Sequence, residues 1–140
     1  MVPSNVKIRA AKITEEKIDK PELKQKIAQE TAFVGNLLKL ADGAMMKKDG
    51  YAEGYLVMAK MHIGTKIKMI GQITAANYAD IGRKSAAQGF FPKLQESVIG
   101  RLQKENKQLE DERKKGEEQI AKITAQLEKL RPAQEPAKGQ

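Results

Sequence analysis

The chain has 140 residues, of which 31% are charged and 4% aromatic, and it contains neither Cys nor Trp. The lack of cysteine excludes disulfides, thiolate metal sites and a cysteine nucleophile, and the few aromatic residues leave little bulky material for a large globular core. The formal net charge of +8 at pH 7 is spread thinly along the chain. It therefore lacks the dense basic arm or stripe typical of strong phosphate binding.

The abundance of Ala, Glu, Lys, Gln, Leu and Ile favours helices. We therefore predict an all-α fold, an elongated helical bundle with a C-terminal coiled-coil helix. Lys60, Lys66 and Lys68 interrupt the most apolar stretch, so no membrane span is expected. The first residues lack the apolar segment of a signal peptide, and we expect a cytoplasmic or virion-interior location.

Residues 1–20 are polar, and we expect a flexible N-terminal arm. Residues 21–91 form a helical region with two main helices, predicted over Pro21–Gly50 and Tyr51–Ala87. Pro21 suits the first turn of a helix and Asp19 can cap it, while Asp49-Gly50 suits a turn.

The second predicted helix has one apolar face, which includes Leu56, Ile63 and Ile70. A neighbouring stripe of small residues, Gly64, Gly71 and Ala75, indicates that another backbone packs closely there. Methionines are locally enriched, and we expect them to fill gaps between helices; an adaptable contact surface is the alternative. The methionines in question are Met45, Met46, Met58, Met61 and Met69.

A corner is predicted where Gly89 precedes Phe90, Phe91 and Pro92. Gly89 can adopt the left-handed conformation that ends a helix, and Pro92 can begin the next one. We expect the two phenylalanines to pack into this corner.

Residues 92–131 are predicted to form a coiled-coil helix, because apolar residues recur there at heptad spacing over more than four heptads. Asn106, Arg113 and Gly116 interrupt the seam, and residues 132–140 are expected to be a disordered tail. The predicted oligomer or partner interface consists of Ile99, Leu102, Asn106, Leu109, Ile120, Ile123, Leu127 and Leu130.

Two arrangements of this helix remain open from the sequence. It can self-associate, although glutamates beside the seam would face one another in a parallel dimer. It can instead fold back on the second helix, whose Lys60, Lys66 and Lys68 would pair with those acids. Whether the helix is continuous is a separate question: a helical hairpin at Gly116 is the alternative, but the unbroken heptad phase favours a continuous helix.

The residue types needed for common catalysis are scarce. His62 is the only histidine, so one chain cannot build a histidine metal cluster, and a packing role is expected for it. Gly82-Arg83-Lys84-Ser85 lacks the spacing of a phosphate-binding loop. We therefore expect no enzymatic activity, no cofactor and no small-molecule substrate.

The leading hypothesis is a structural or assembly protein that oligomerises or binds protein partners through helix packing, such as a component of a virion or another large assembly. The alternative is a basic, oligomeric DNA-binding or packaging protein, in which phosphates would contact Lys7, Arg9, Lys12, Arg83 and Lys84. A second alternative is a peripheral protein that lies on a membrane surface through the second helix.

Overall fold

A computed structural model describes residues 18–87 and 89–130. They form three helices: α1 (Lys20–Met46), α2 (Tyr51–Ala86) and α3 (Pro92–Leu130). No strand occurs in these two ranges. The prediction of an all-α helical bundle is confirmed, whereas a coiled coil between chains stays a prediction. The expected tail at 132–140 and most of the expected arm lie outside the described residues.

The first helix begins where the capping residues predict. The Asp19 side chain accepts a hydrogen bond from the backbone N–H of Glu22 at 3.2 Å, and Pro21 lies in the first turn. Lys20, which the sequence assigned to the arm, already belongs to α1. The helix ends at Met46, before the predicted Gly50, because Lys48 takes a left-handed conformation (φ 54°).

The two longest helices, α2 and α3, are continuous despite their interior glycines. The interior glycines of α2 leave it unbroken over 36 residues, and Asp49 stabilises its start by accepting a hydrogen bond from the Tyr51 N–H at 3.0 Å. The third helix runs for 39 residues straight through Gly116. A hairpin at that glycine is therefore excluded.

The central helix of the bundle is α2. Both α1 and α3 pack along it and approach each other far less. The side chain of Lys20 meets Asp80 and that of Glu30 meets His62, so α1 runs antiparallel to α2. Gly116 lies against Ile67, whereas Asn106 bonds Asn77, so α3 is antiparallel to α2 as well.

Two groups of buried side chains form the core. The larger includes Val34 and Leu37 of α1, Leu56 and Ile63 of α2, and Ile123 of α3. The other joins Ile27, Met69, Ile70, Ile73 and Leu109. Each group contains residues from all three helices, so removing any one helix would expose apolar surface on the others.

The corner between α2 and α3 differs from the prediction. Phe90 and Phe91 are 74% and 75% exposed, so they do not plug it. Gly89 has no positive φ; the left-handed residue is Phe91 (φ 52°). Pro92 begins α3 as expected.

Candidate protein-interaction face

The heptad seam of α3 is buried within its own chain. Leu102, Asn106, Leu109, Ile123 and Leu127 are all at most 8% exposed. Ile99 and Ile120 are half-buried, and Leu130 at the helix end is 37% exposed. Of the two arrangements left open, the structure has the fold-back. Use of the seam between chains stays a prediction, and it would require these core contacts to open.

Gly116 is the position where α2 and α3 pack most tightly among the described glycines. A Cβ atom built there would lie 3.2 Å from both Cδ1 and Cγ1 of Ile67, and 3.4 Å from Cγ2 of Ile63. The glycine that interrupts the apolar seam thus lets the isoleucines of α2 approach the α3 backbone.

The small-residue stripe of α2 does not pack within the chain. Gly64, Gly71 and Ala75 are exposed, and a Cβ at either glycine would meet nothing within 4 Å. As a contact inside one subunit the close-packing prediction is wrong, because α1 and α3 both bind the opposite side of α2. As a contact with another molecule it stays a prediction.

The residues proposed to bind phosphate are not brought together as a described patch. Lys7, Arg9 and Lys12 lie outside the described residues. Arg83 pairs with Asp80 one turn earlier, and Lys84 is half-buried. The carboxylate beside Arg83 offsets part of the positive charge that a phosphate would need.

His62 has a packing and pairing role. Its Nδ1 lies 2.6 Å from a carboxylate oxygen of Glu30, and its ring meets Phe33 edge-on with centroids 4.6 Å apart. Glu30, a half-buried acidic residue of α1, thus has a specific partner on α2. The described residues contain no cluster of His, Asp and Glu suited to a metal ion.

A polar network at one end of the bundle was not foreseen from the sequence. Asn77, fully buried on α2, donates from Nδ2 to Asn106 Oδ1 at 2.9 Å and to Glu105 at 3.2 Å. Asn106 in turn donates to the carbonyl of Thr74 at 3.4 Å. Asn77 continues the buried series Ile70, Ile73, and a polar residue in such a series was the signal that could have revealed it.

Two ion pairs extend this network to α1. Lys24 lies 3.2 Å from Glu105, and Lys20 lies 2.6 Å from Asp80. The interhelical pairs therefore use lysines of α1, rather than the α2 lysines that the fold-back hypothesis assigned to them. Together the contacts bind all three helices and are incompatible with a shifted register.

The network lowers the pKa of both carboxyl groups. For Asp80 the main cause is the hydrogen bond from Lys20, which outweighs partial burial and is assisted by Arg83. For Glu105 burial is the largest influence and raises the pKa, but hydrogen bonds from Asn77 and Lys24 and the nearby lysine charges outweigh it.

A cleft of about 680 Å³ lies beside the network, between α1 and α3. Its walls carry charges of both signs, and its Lys24 and Glu105 are already paired with each other. The cleft is thus the solvent side of a structural ion pair. Its lining consists of Lys24, Arg101, Lys104, Glu105, Gln108, Leu109 and Glu112.

The side of α2 that points away from α1 and α3 has an unusual composition. Among its exposed residues from Tyr51 to Gly82, Lys68 alone is charged. Met58 is 43% and Met61 66% exposed, so these two methionines do not fill the core as predicted. We call this surface the outer face; it consists of Tyr51, Gly54, Met58, Met61, Gly64, Thr65, Lys68, Gly71, Gln72, Ala75, Tyr78, Ala79 and Gly82.

The exposed side of α3 differs sharply from the outer face. On α3 most exposed residues are charged, which is ordinary for a solvated helix. On α1, Phe33 and Leu40 are 41% and 51% exposed, and Phe33 contacts His62 of α2. On α3 the large exposed apolar residues, Leu94 and Leu130, lie near the two ends of the helix, and the exposed surface between them is mostly charged.

Comparisons of this chain with protein families, with curated proteins and with solved structures find no match. Within the described residues, none of the helices combines the length and apolarity that crossing a bilayer requires. Any functional assignment therefore depends on the chain's own surfaces.

Proposed function

We propose that this chain is a non-enzymatic structural protein that assembles with protein partners by helix packing, and that its contact surface is the outer face of α2. The observation that carries the proposal is that Lys68 is the one charged residue among the exposed positions from 51 to 82, while the other charged residues of this stretch, Glu53, Lys60, Lys66 and Asp80, are half-buried. A soluble helix ordinarily has polar and charged residues on its free side. Exposed methionine and tyrosine beside glycine and alanine are instead typical of a surface that another helix covers.

The heptad seam supports this proposal indirectly. The sequence placed the interface at the seam, but those side chains already contact α2 and α1 of the same chain. Association through the outer face needs no such core contact to be broken. The proposed role in a structural or virion-like assembly therefore still depends on helix packing, but the proposed contact surface is on α2 instead of α3.

A matched pair of variants tests the proposal. Ala75→Glu with Ala79→Glu adds two charges to the outer face, and Ala121→Glu with Ala125→Glu adds the same charges, at the same spacing, to exposed positions of α3. The measurement is the size of the native protein in extracts of the cells that make it, alongside the melting temperature of each purified variant.

We expect the unchanged protein and the α3 variant to occur in a complex well above 15.5 kDa, the mass of one chain. The α2 variant should melt at nearly the same temperature but run at the mass of a single chain. A single-chain mass for the unchanged protein, in extracts and in concentrated solution, would overturn the proposal.

A further inference from the structure

The outer face has a seven-residue repeat that is distinct from the seam of α3. Gly54, Met61, Lys68, Ala75 and Gly82 follow one another at every seventh position along the middle of this face. Residues seven apart lie nearly above one another on a helix, so they form a single line suited to contact with another long helix. Lys68 lies at the middle of this line and at the middle of α2, which spans Tyr51–Ala86.

We propose that the partner of the outer face is a second copy of this chain, with the two α2 helices antiparallel about a two-fold axis at Lys68. This inference rests on the proposed function, because it names the partner of the same surface. In an antiparallel pair, residues equally far from the axis face each other. Met61 then faces Ala75 of the other copy, and Gly54 faces Gly82.

The two halves of the outer face are complementary in side-chain size. Before Lys68 the exposed large side chains are Tyr51, Met58 and Met61, whereas after it small residues predominate, with Tyr78 as the exception. An antiparallel pairing puts the large half of each copy on the small half of the other. Gly71 and Ala75 then leave room for the partner's methionine, as interdigitated packing requires.

Charge also favours a second copy over a helix with an ordinary solvated face. Burying an unpaired charged group is costly, so the occupant must itself present an almost uncharged face. Among the described helices, the exposed side of α3 is mostly charged and that of α1 includes Glu22, Lys24, Lys26, Lys39 and Asp42, whereas the exposed positions of α2 from 51 to 82 include one charged residue, Lys68. The partner surface that fits is therefore the outer face itself.

The expected dimer is weak. Interfaces that bury about 800 Å² per partner contain 20–30 residues on each side, so a face of 13 residues buries roughly 350–500 Å² per copy. The total of about 700–1,000 Å² is at or below the lower limit for specific association. Lys68 weakens it further, because the two-fold axis places this lysine next to its own copy. The ammonium groups can reach solvent on their flexible stems, which limits the repulsion without removing it.

The lysine at the axis allows a sharp test by charge exchange. Lys68→Glu alone also places like charges at the axis, so it should dimerise no better than the unchanged chain. An equal mixture of the two should form mixed dimers at least about threefold tighter than either homodimer at low salt, as a surface ion pair replaces repulsion. At about 1 M salt, where charges are screened over ~3 Å, this preference should disappear.

Cysteine cross-linking locates the axis independently, because the natural chain has no cysteine. Lys68→Cys should oxidise to a disulfide-linked dimer, while the control Lys104→Cys, on the exposed side of α3, should stay mainly monomeric. Equal cross-linking of both variants, or no preference for mixed dimers with Lys68→Glu, would overturn the inference.

Other possible partners of the outer face, a membrane surface or a different protein, would give different results. Flotation with vesicles containing phosphatidylserine, combined with a monomeric mass at high concentration, would indicate a membrane surface and overturn the second copy. A purified monomer that enters a larger complex in native extracts only when the outer face is intact would retain the proposed function and overturn the two-fold dimer. Monomeric behaviour in both settings would overturn both.

Discussion

Gly116 decides at the scale of one residue how closely α3 can approach α2. Replacing Gly116 by Ala reduces the backbone flexibility of the unfolded chain, which favours folding by about 1 kcal/mol. The same change brings the new Cβ to 3.2 Å from Ile67, which opposes folding. Gly100, also inside α3, has nothing within 4 Å of such a Cβ. Substitutions at these two glycines therefore distinguish the effect of intrinsic helix preference on stability from the effect of packing.

The prediction is a graded series in free energy of unfolding. Gly100→Ala should stabilise the protein by about 0.5–1 kcal/mol, Gly116→Ala should gain less than that, and Gly116→Leu should destabilise it by about 1–3 kcal/mol through overpacking. Urea titration followed by circular dichroism measures all three. If Gly116→Leu were as stable as the unchanged protein, the close contact with Ile67 would be disproved.

Asn77 is the residue that links α2 to α3 in the polar network. Asn77→Ala removes two donated hydrogen bonds, and it leaves Asn106 Oδ1 buried without its donor. We expect a loss of about 1–3 kcal/mol in free energy of unfolding. Gln72→Ala, on the exposed side of the same helix, is the control and should change stability by less than about 0.5 kcal/mol.

At the scale of a helix, the role of α3 depends on which helices cover its heptad seam. Leu109 and Ile123 are 8% and 2% exposed, and they belong to the two core groups that α2 shares. Their contacts are with the same chain, so charges placed there should disturb folding before they disturb assembly.

We therefore predict that Leu109→Lys combined with Ile123→Lys lowers the melting temperature strongly or unfolds the bundle, because each lysine is buried without a partner. Ala121→Lys with Ala125→Lys, on the exposed side of α3, should melt close to the unchanged protein. Thermal unfolding and mass in solution are measured together. If the Leu109→Lys, Ile123→Lys variant kept its melting temperature but no longer formed a dimer, the seam would be shown to join separate chains.

For the whole molecule, the carboxyl groups of Asp80 and Glu105 make stability depend on pH. Their pKa values are lowered on folding, so the unfolded chain binds more protons in the acid range. Their contribution is present above the ordinary carboxyl range near pH 4, and it is lost as the pH falls through that range and below. Acid should therefore loosen the end of the bundle where the network joins the three helices.

The corresponding test compares melting temperatures at pH 7 and pH 3. Asp80→Asn with Glu105→Gln should melt at a lower temperature at pH 7 and should show a smaller drop on acidification than the unchanged protein. Glu118→Gln, which changes an exposed carboxylate of α3, should retain the full drop. An identical drop in all three proteins would remove this network as a source of the acid sensitivity.

The sequence by itself determined the helices and their approximate ends, because these depend on local signals: Asp19 and Pro21 at one start, Pro92 at another, and apolar residues at helical spacing between them. It also identified the seam residues of α3 as buried. Which helix would cover them was not determined, because a heptad pattern records that a face is apolar and not whether its partner belongs to the same chain.

Only the tertiary structure decided the locations of the surfaces. With both α1 and α3 on one side of α2, the stripe containing Gly64 and Gly71 is left exposed, and the close approach occurs at Gly116 instead. The same packing places Asn77 where it meets Asn106, across 29 residues of sequence. Such pairings depend on how helices dock, which is set by long-range burial and polar contacts that a local pattern does not encode.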